Sequence, residues 1–199
     1  MESDTFDELL SHLFRFKQLG KRITSNGCLE IGRMPHIGSD AWFHAIGSPL
    51  SDENVRLLES PSQLNSPLPA QVRTILELAN GMHLFNRVLC INGLRTDYSR
   101  KLDNNWYPFS LQYGNVYERP QKMPLEDFVV GYYGDDFYIS IEAATNRVYL
   151  CNRQSGEVGF YWSSLASMLL EEAVRLNSLH DEAGNVHGDV RKLVPGEQV

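Results

Sequence analysis

The sequence predicts an α+β protein in which an antiparallel meander sheet packs against helices, with a helical extension at the N-terminus. Three observations lead to this prediction. Apolar residues recur at helical spacing in three segments before residue 81, alternate with polar residues from there to about residue 162, and return to helical spacing after a pair of serines. We expect the helices to cover one face of the sheet and to leave the other partly exposed to solvent.

The first 45 residues are interpreted as an extension that packs on the main domain. Apolar residues recur at helical intervals over residues 5–19, where Thr5 and Glu8 have the spacing of a capping box. The following thirty residues are rich in glycine and proline. Two short strands are expected there, over residues 28–31 and 42–46.

Residues 46–180 form the predicted main domain, which begins with two helices. Ser51 has the position of an N-cap for a helix to about Glu59, because acidic residues follow it in the first turn. A second helix is expected from Pro69 to Asn80, and the Asn80-Gly81 pair is expected to end it with a positive φ.

The strands of the main domain are predicted from short apolar or alternating segments separated by turn residues. They are expected near residues 88–91, 111–117, 128–133, 137–141, 148–151 and 158–162. Ser163 or Ser164 then begins a final helix. Its buried stripe should contain Leu165, Met168, Leu169, Ala173 and Leu176. Residues 181–199 form a polar C-terminal tail.

The charge of the chain limits the partners it can have. Its 199 residues include 18 Lys and Arg against 25 Asp and Glu, a formal net charge of −7, and the acidic residues are spread along the chain. Nonspecific nucleic-acid binding requires an excess of basic residues, so we expect no direct contact with nucleic acid. An acidic chain instead favours a basic protein partner.

The cysteines and the apolar runs indicate a compartment. Three cysteines, Cys28, Cys90 and Cys151, are too few for a disulfide framework, and the last two lie in apolar strand-like segments. The sequence starts with Met-Glu-Ser-Asp, unlike the basic start of a signal peptide, and no apolar run approaches the length of a membrane span. We therefore expect a reduced cytoplasmic protein without membrane association.

Motifs of catalysis and cofactor binding are missing from the sequence. It contains no phosphate-binding loop, dinucleotide fingerprint, nucleophile elbow, HExxH or CxxC motif. His180 and His187 flank a polar turn without the spacing of a calcium loop. Cys28 near His36 or His44 leaves one alternative, a hydrolase with a thiol nucleophile. We expect no catalytic residues, no metal and no cofactor.

An acidic stretch with tyrosines is the most distinctive feature. Between Met123 and Asn146 there are five carboxylates, three tyrosines and no Lys or Arg. Acidic groups beside tyrosines suit a specific protein interface, and a loop tryptophan can act as a binding anchor. The alternative is a solvated sheet edge with core aromatics. The predicted contact set is Trp106, Glu126, Asp127, Tyr132, Tyr133, Asp135 and Asp136.

The order of these elements resembles a known family. The segments that carry the resemblance are LPAQVRTILELANG, VLCINGL and VVGYYGDDFYISIEAATNRVYLCN, followed by a strand with Phe and Trp and by a serine-led helix. Over about residues 46–178, the chain resembles the SUKH superfamily, which includes a fungal regulator of cell-wall synthesis and many bacterial immunity proteins.

The resemblance implies an α+β fold without catalysis. Bacterial members look like immunity proteins that bind a cognate toxin domain, commonly a nuclease or a deaminase, and block it by covering its active surface. Binding surfaces differ between members, so no contact residue is carried over. We therefore expect an immunity protein, as a monomer or homodimer, whose partner is a basic toxin. The alternatives are a regulatory or scaffolding module of the same fold and the Cys28 hydrolase.

Overall fold

Alternating strands separated by turns build one antiparallel sheet in the computed structural model, which describes residues 1, 3–60, 64, 66–98 and 105–196. Parts of two loops expected from the sequence, residues 61–63 with 65 and residues 99–104, lie outside the described residues, as does the end of the tail. The sheet has nine strands. They are β1 (Lys21–Ile23), β2 (Leu29–Arg33), β3 (Trp42–Ile46), β4 (Met82–Leu84), β5 (Leu89–Ile91), β6 (Phe128–Tyr133), β7 (Phe137–Ile141), β8 (Val148–Asn152) and β9 (Val158–Trp162).

The helices stand before, between and after groups of strands. The α-helices are α1 (Ser3–Leu13), α2 (Asp52–Leu58), α3 (Ala70–Leu76) and α4 (Leu165–Leu179). A 3-10 helix, Phe14–Leu19, follows α1, a second one lies at Val190–Leu193, and a π-helix spans Tyr113–Tyr117. The Ser51 side chain accepts a hydrogen bond from the Asn54 amide, and Ser164 forms a capping box with Ser167. The predicted N-caps of α2 and α4 are thus confirmed.

Strand order in the sheet follows sequence order from β1 to β9, and every neighbouring pair is antiparallel. The predicted α+β class and the antiparallel meander are therefore confirmed. A bulge between Val129 and Gly131 in β6 shifts the register there, so that Val129 and Tyr132 both reach the same face.

The two faces of the sheet are covered differently. On one face, α1 packs against α4, and residues from all four α-helices and most strands form the main hydrophobic core. The predicted stripe of α4 is buried there. On the opposite face, a small cluster contains Met123, Val129, Tyr138, Tyr149 and Cys151, with Tyr132 packed beside it. We call this opposite side the second face.

Some boundaries differ from the prediction for local reasons. Residues 111–117 are not a strand, because the Asn115 amide donates to the backbone oxygens of Leu111 and Val129 and the segment coils into the π-helix. The helix α3 ends at Leu76 rather than at Asn80. Thr5 lies inside α1 and does not cap it. The strands β1 and β4 were not expected.

The two ends of the chain are both attached to the central domain. A boundary at residue 45 falls within β3, whose Ala45 and Ile46 pair with His83 and Met82 of β4. Residues 1–45 thus contribute α1 to the main core, and they contribute β1, β2 and most of β3 to this same sheet. In the predicted tail, the backbone oxygens of Lys192 and Leu193 each accept a hydrogen bond from Arg175 of α4, at 2.6 Å.

Candidate functional site

Strand register places a row of chemically versatile side chains across the second face. His83 of β4 lies opposite Cys90 of β5, which lies opposite Tyr132 of β6. Tyr132 lies opposite Tyr138 of β7, which in turn pairs with Cys151 of β8. Side chains opposite each other on antiparallel strands share a face and are close neighbours. The row therefore spans five strands, and two of its members, Cys90 and Tyr132, form the floor of the candidate site.

A groove opens beside this row, with a volume of about 510 Å³. Its walls come from the β4–β5, β6–β7 and β8–β9 turns, from strands β5 and β6, from the loop after β5, and from the π-helix with the residue that follows it. They carry three guanidinium groups, four aromatic rings and two carboxylates. The lining residues are Arg87, Cys90, Arg95, Tyr98, Phe109, Ser110, Tyr113, Glu118, Tyr132, Gly134, Asp135 and Arg153. We call this cavity the groove.

Arg153 holds one end of the groove together. Its guanidinium lies over the rings of Tyr132 and Tyr138, 5.4 Å and 5.1 Å from their centroids, and forms an ion pair of 3.2 Å with Glu118. The Arg153 side chain also donates to the backbone oxygen of Asp135 at 3.0 Å. The backbone amide of Arg153 donates to the backbone oxygen of Asp136 at 2.9 Å. The β6–β7 turn is thereby fixed in position although its two carboxylates are exposed.

Two further arginines line the groove, Arg87 in the β4–β5 turn and Arg95 in the loop after β5. Arg95 lies over the rings of Tyr98 and Tyr107, at 5.1 Å and 5.9 Å, and donates to the backbone oxygen of Asp97. Arg87 is exposed. Within the part of the chain that the structure describes, neither guanidinium forms an ion pair with a carboxylate.

A strained turn presents Arg87. Phe85, Asn86 and Arg87 have φ values of 51°, 52° and 70°, three consecutive non-glycine residues in the left-handed region. Each costs on the order of 1 kcal/mol, so such a run persists only where its surroundings hold it. The Phe85 amide donates to Nδ1 of His44 at 3.2 Å, and the Asn86 amide donates to the Phe43 backbone oxygen at 2.8 Å.

Burial shifts the pKa values of the titratable groups in this row toward their neutral forms. Burial raises the pKa of the Cys90 thiol to about 12. Burial, with the nearby positive charges of Arg87 and Arg95, lowers the pKa of His83 to about 3. Burial likewise raises the pKa of Tyr132 to about 12. A protonated thiol and a neutral imidazole suit binding contacts better than nucleophilic attack.

Two residues of the predicted contact set line the groove, and a third lines a cavity beside it. Tyr132 lies on the floor of the groove, and Asp135 lies on its rim. Asp135 and Asp136 also line an adjoining cavity of about 420 Å³, together with Glu118, Tyr138, Arg153 and Gln154. Tyr132, Asp135 and Asp136 are therefore brought to two neighbouring cavities beside the β6–β7 turn.

Trp106 and Glu126 lie apart from this cluster. The Trp106 ring packs against the His83 imidazole, with 4.9 Å between centroids. The backbone oxygen of Trp106 accepts a hydrogen bond from the Asn26 side chain. Trp106 lines a separate cavity of about 230 Å³. Glu126 is exposed in the loop before β6 and lines neither the groove nor its adjoining cavity.

Two predicted contact residues are buried, which removes them from any surface contact. The Asp127 carboxylate accepts hydrogen bonds from the Tyr149 hydroxyl at 2.6 Å and from the Ala143 amide at 3.0 Å. Tyr133 is fully buried on the helix-covered face, where its hydroxyl donates to Glu172 and accepts from Arg175. Both side chains stabilise the fold, because their polar groups are satisfied inside the protein.

Most residues that line the groove lie outside the segments that the sequence patterns single out. Arg87, Arg95 and Arg153 come from three different loops and turns, and nothing in their spacing along the chain brings them together. Arg153 follows the acidic stretch by only seven residues, so its attraction to the carboxylates there could have been proposed. The presence of Arg87 and Arg95 in the groove could be predicted only with knowledge of the strand register from β4 to β6.

The Cys28 alternative is not supported by the environment of the thiol. Cys28 is buried, and burial, reinforced by the negative charge of Glu30, raises its pKa to about 12. A nucleophilic cysteine requires the opposite shift, toward the thiolate. His36 is exposed, whereas His44 is buried among aromatic rings with its pKa lowered to about 3.

Comparison with known proteins gives no relative, because no family model, no curated protein and no solved structure matches this chain. Across the described ranges, no helix has the length and apolar character needed to cross a membrane. The same ranges contain no group of three or more His, Cys, Asp or Glu residues arranged to hold a metal ion.

Proposed function

We propose that this chain is a non-catalytic protein-binding module of the SUKH type, which acts in the cytoplasm as an immunity protein. Its partner would be a basic bacterial toxin domain of the nuclease type, neutralised when this chain covers the toxin's active surface. The observation that carries the proposal is the β6–β7 turn, where Asp135 and Asp136 are exposed on a backbone that Arg153 fixes.

Electrostatics supports a basic partner. Glu118, Asp135 and Asp136 gather at one place on a chain whose net charge is −7. Enzymes that act on nucleic acid carry basic surfaces because their substrate is anionic. Complementary charge steers such a pair together and can raise the association rate constant toward 10⁸–10⁹ M⁻¹s⁻¹, an order-of-magnitude figure, at low salt. Fast capture suits an inhibitor that must act before its toxin does.

The aromatic residues near this turn supply the other half of a typical interface. Tyr98, Tyr113 and Tyr117 are exposed to 57%, 48% and 69%, and the last two rings lie 6.1 Å apart on the π-helix. Tyrosine and arginine are the residues enriched among the contacts that dominate binding energy. A π-helix is itself rare and is frequent at functional sites.

Charge reversal at the turn tests this proposal. The variant D135K/D136K shifts the formal net charge from −7 to −3. We expect it to lower the association rate constant for the cognate partner by about tenfold or more at low salt, with a smaller change in dissociation. The partner is obtained by capture on the tagged chain at low salt, and rates are measured by surface plasmon resonance.

A matched control separates local from global charge. Asp7 and Glu8 are exposed on α1, which covers the other face, and D7K/E8K changes the net charge by the same amount. We expect D7K/E8K to retain most of the association rate. Equal rates for D135K/D136K and the parent chain would remove this turn from the interface.

The second candidate is a regulatory or scaffolding module with a housekeeping partner, as in the fungal branch of the superfamily that the sequence resembles. The specific observation that favours it is the balanced charge of the groove, whose three arginines suit a partner that is not strongly basic. A growth defect on deleting this gene in cells that lack any toxin gene would support this module over immunity.

A further inference from the structure

We infer that the groove also binds a nucleoside phosphate, with the phosphate held by Arg87 and Arg95 and the base placed among the tyrosine and phenylalanine rings. This site shares Tyr98, Tyr113 and Asp135 with the surface proposed above for the protein partner, but its assignment does not rest on that proposal. The volume of about 510 Å³ lies within the range of roughly 300–1,000 Å³ of small-molecule sites.

The phosphate position is assigned from two arginines that form no ion pair with a carboxylate of the described residues. Arg87 and Arg95 both line the groove, so both guanidiniums border the same cavity. A guanidinium presents paired N–H donors that match two phosphate oxygens. Because no described carboxylate pairs with either group, an anion would not have to displace an internal partner.

The aromatic side chains make the site suitable for a base. Tyr98, Tyr113 and Tyr132 line the groove together with Phe109, whose ring lies 5.7 Å from that of Tyr132 and 4.4 Å from the His83 imidazole. Stacking on such rings tolerates any base, since every base has a π-face. Four rings around one cavity suit a flat aromatic ligand.

The two carboxylates of the lining distinguish a nucleotide from a simple anion. Glu118 is paired with Arg153, but the Asp135 carboxylate is exposed on the rim and would repel free phosphate. A carboxylate accepts hydrogen bonds from hydroxyl groups, and a ribose supplies such donors beside its phosphate. A ligand with an anion, hydroxyl donors and a flat ring matches the whole lining, whereas phosphate alone matches only the arginines.

Calorimetry on the full chain tests this assignment. The probes are ADP, GDP, UDP, adenosine and inorganic phosphate, each titrated to about 1 mM. We expect at least one nucleoside diphosphate to bind one to one, and adenosine and phosphate to bind at least tenfold more weakly. The R87Q/R95Q variant should bind the diphosphate at least tenfold more weakly than the parent chain, and it should bind adenosine less than threefold more weakly.

Arg56 provides the matched control, since it is exposed on α2 and does not line the groove. R56Q should bind the diphosphate like the parent chain, and thermal unfolding should show that all variants are folded. Three results would overturn the assignment. They are the absence of saturable binding for all three diphosphates, binding of the diphosphate by R87Q/R95Q as tight as by the parent chain, and binding of inorganic phosphate as tight as that of the diphosphate. These titrations need no protein partner, so their failure leaves the immunity proposal standing.

Discussion

At the scale of the residue, buried imidazoles determine how stability responds to acid. His44 is fully buried against the rings of Phe16, Phe43 and Phe85, whose centroids lie between 4.7 Å and 5.5 Å away. Burial and the nearby His180 lower the pKa of His44 to about 3. Its Nδ1 accepts a hydrogen bond from the Phe85 amide, so the neutral form is the one that the fold requires.

We predict that His44→Gln flattens the loss of stability in acid. The unfolded chain binds a proton at His44 near pH 6.5, whereas the folded chain does so only near pH 3. Stability from this group is therefore complete above about pH 6.5 and is lost as the pH falls toward 3, at up to about 1.4 kcal/mol per pH unit. Urea unfolding at pH 7, 5.5 and 4.5 measures the slope. The exposed His36→Gln is the control, and equal slopes in both variants would contradict the prediction.

At the scale of the element, the connection between α3 and β4 is built around Asn80 and Gly81. The Asn80 side chain donates to the Leu94 backbone oxygen at 2.9 Å and accepts from the Leu94 amide at 2.7 Å. Gly81 has a φ of 76°, and a Cβ there would lie 2.7 Å from that of Pro108 and 2.9 Å from the Ile91 oxygen. The expected positive φ is confirmed, although the helix has already ended at Leu76.

We predict that Gly81→Val lowers the free energy of unfolding by about 2 kcal/mol or more, because it adds both backbone strain and steric overlap. Gly159→Val is the matched control. Gly159 lies in β9 with no positive φ, and a Cβ there would meet no atom within 4 Å. Denaturant unfolding of both variants compares the two positions, and a Gly81→Val chain as stable as the control would refute the steric argument.

The elements that could be predicted are those whose local pattern and tertiary environment agree. The strands β7 and β9 alternate, β6 and β8 are short apolar runs, and all four end at turn residues. The helix α4 has both a serine cap and an apolar stripe. The strands β1 and β4 are only three residues long, too short for a period to be visible. The π-helix could not be predicted, because the spacing of Tyr113 and Tyr117 fits a strand pattern. In the structure the Asn115 side chain instead forms hydrogen bonds with backbone groups that a strand would pair.

At the scale of the whole molecule, one sheet joins the N-terminal residues to the rest. Phe16 is fully buried, and its ring lies 4.5 Å from that of Phe43 in β3. We predict that Phe16→Ala lowers the free energy of unfolding of a single cooperative transition by about 3 kcal/mol or more. The half-buried Phe14→Ala should cost less. A separate early transition, with the main one unchanged, would indicate that residues 1–45 are an independent appendage.

The candidate site could be predicted only where it lies within one hairpin. Tyr132, Asp135 and Asp136 are close in sequence, and the turn between β6 and β7 keeps them close in space. Asp127 and Tyr133 belong to the same acidic and tyrosine-containing segment, but their side chains point inward. Their orientation depends on the β6 bulge and on partners as distant in sequence as Glu172. Charge and residue type identified the segment, whereas burial decided which of its members reach the surface.

The most direct test of the immunity proposal is a growth measurement with the partner that this chain captures. The partner is expressed from an inducible promoter alone, with the parent chain, and with D135K/D136K. We predict that the partner alone arrests growth, that the parent chain restores it, and that the charge-reversed variant restores it less well. A partner that is harmless alone, or growth arrest that the parent chain does not relieve, would contradict immunity.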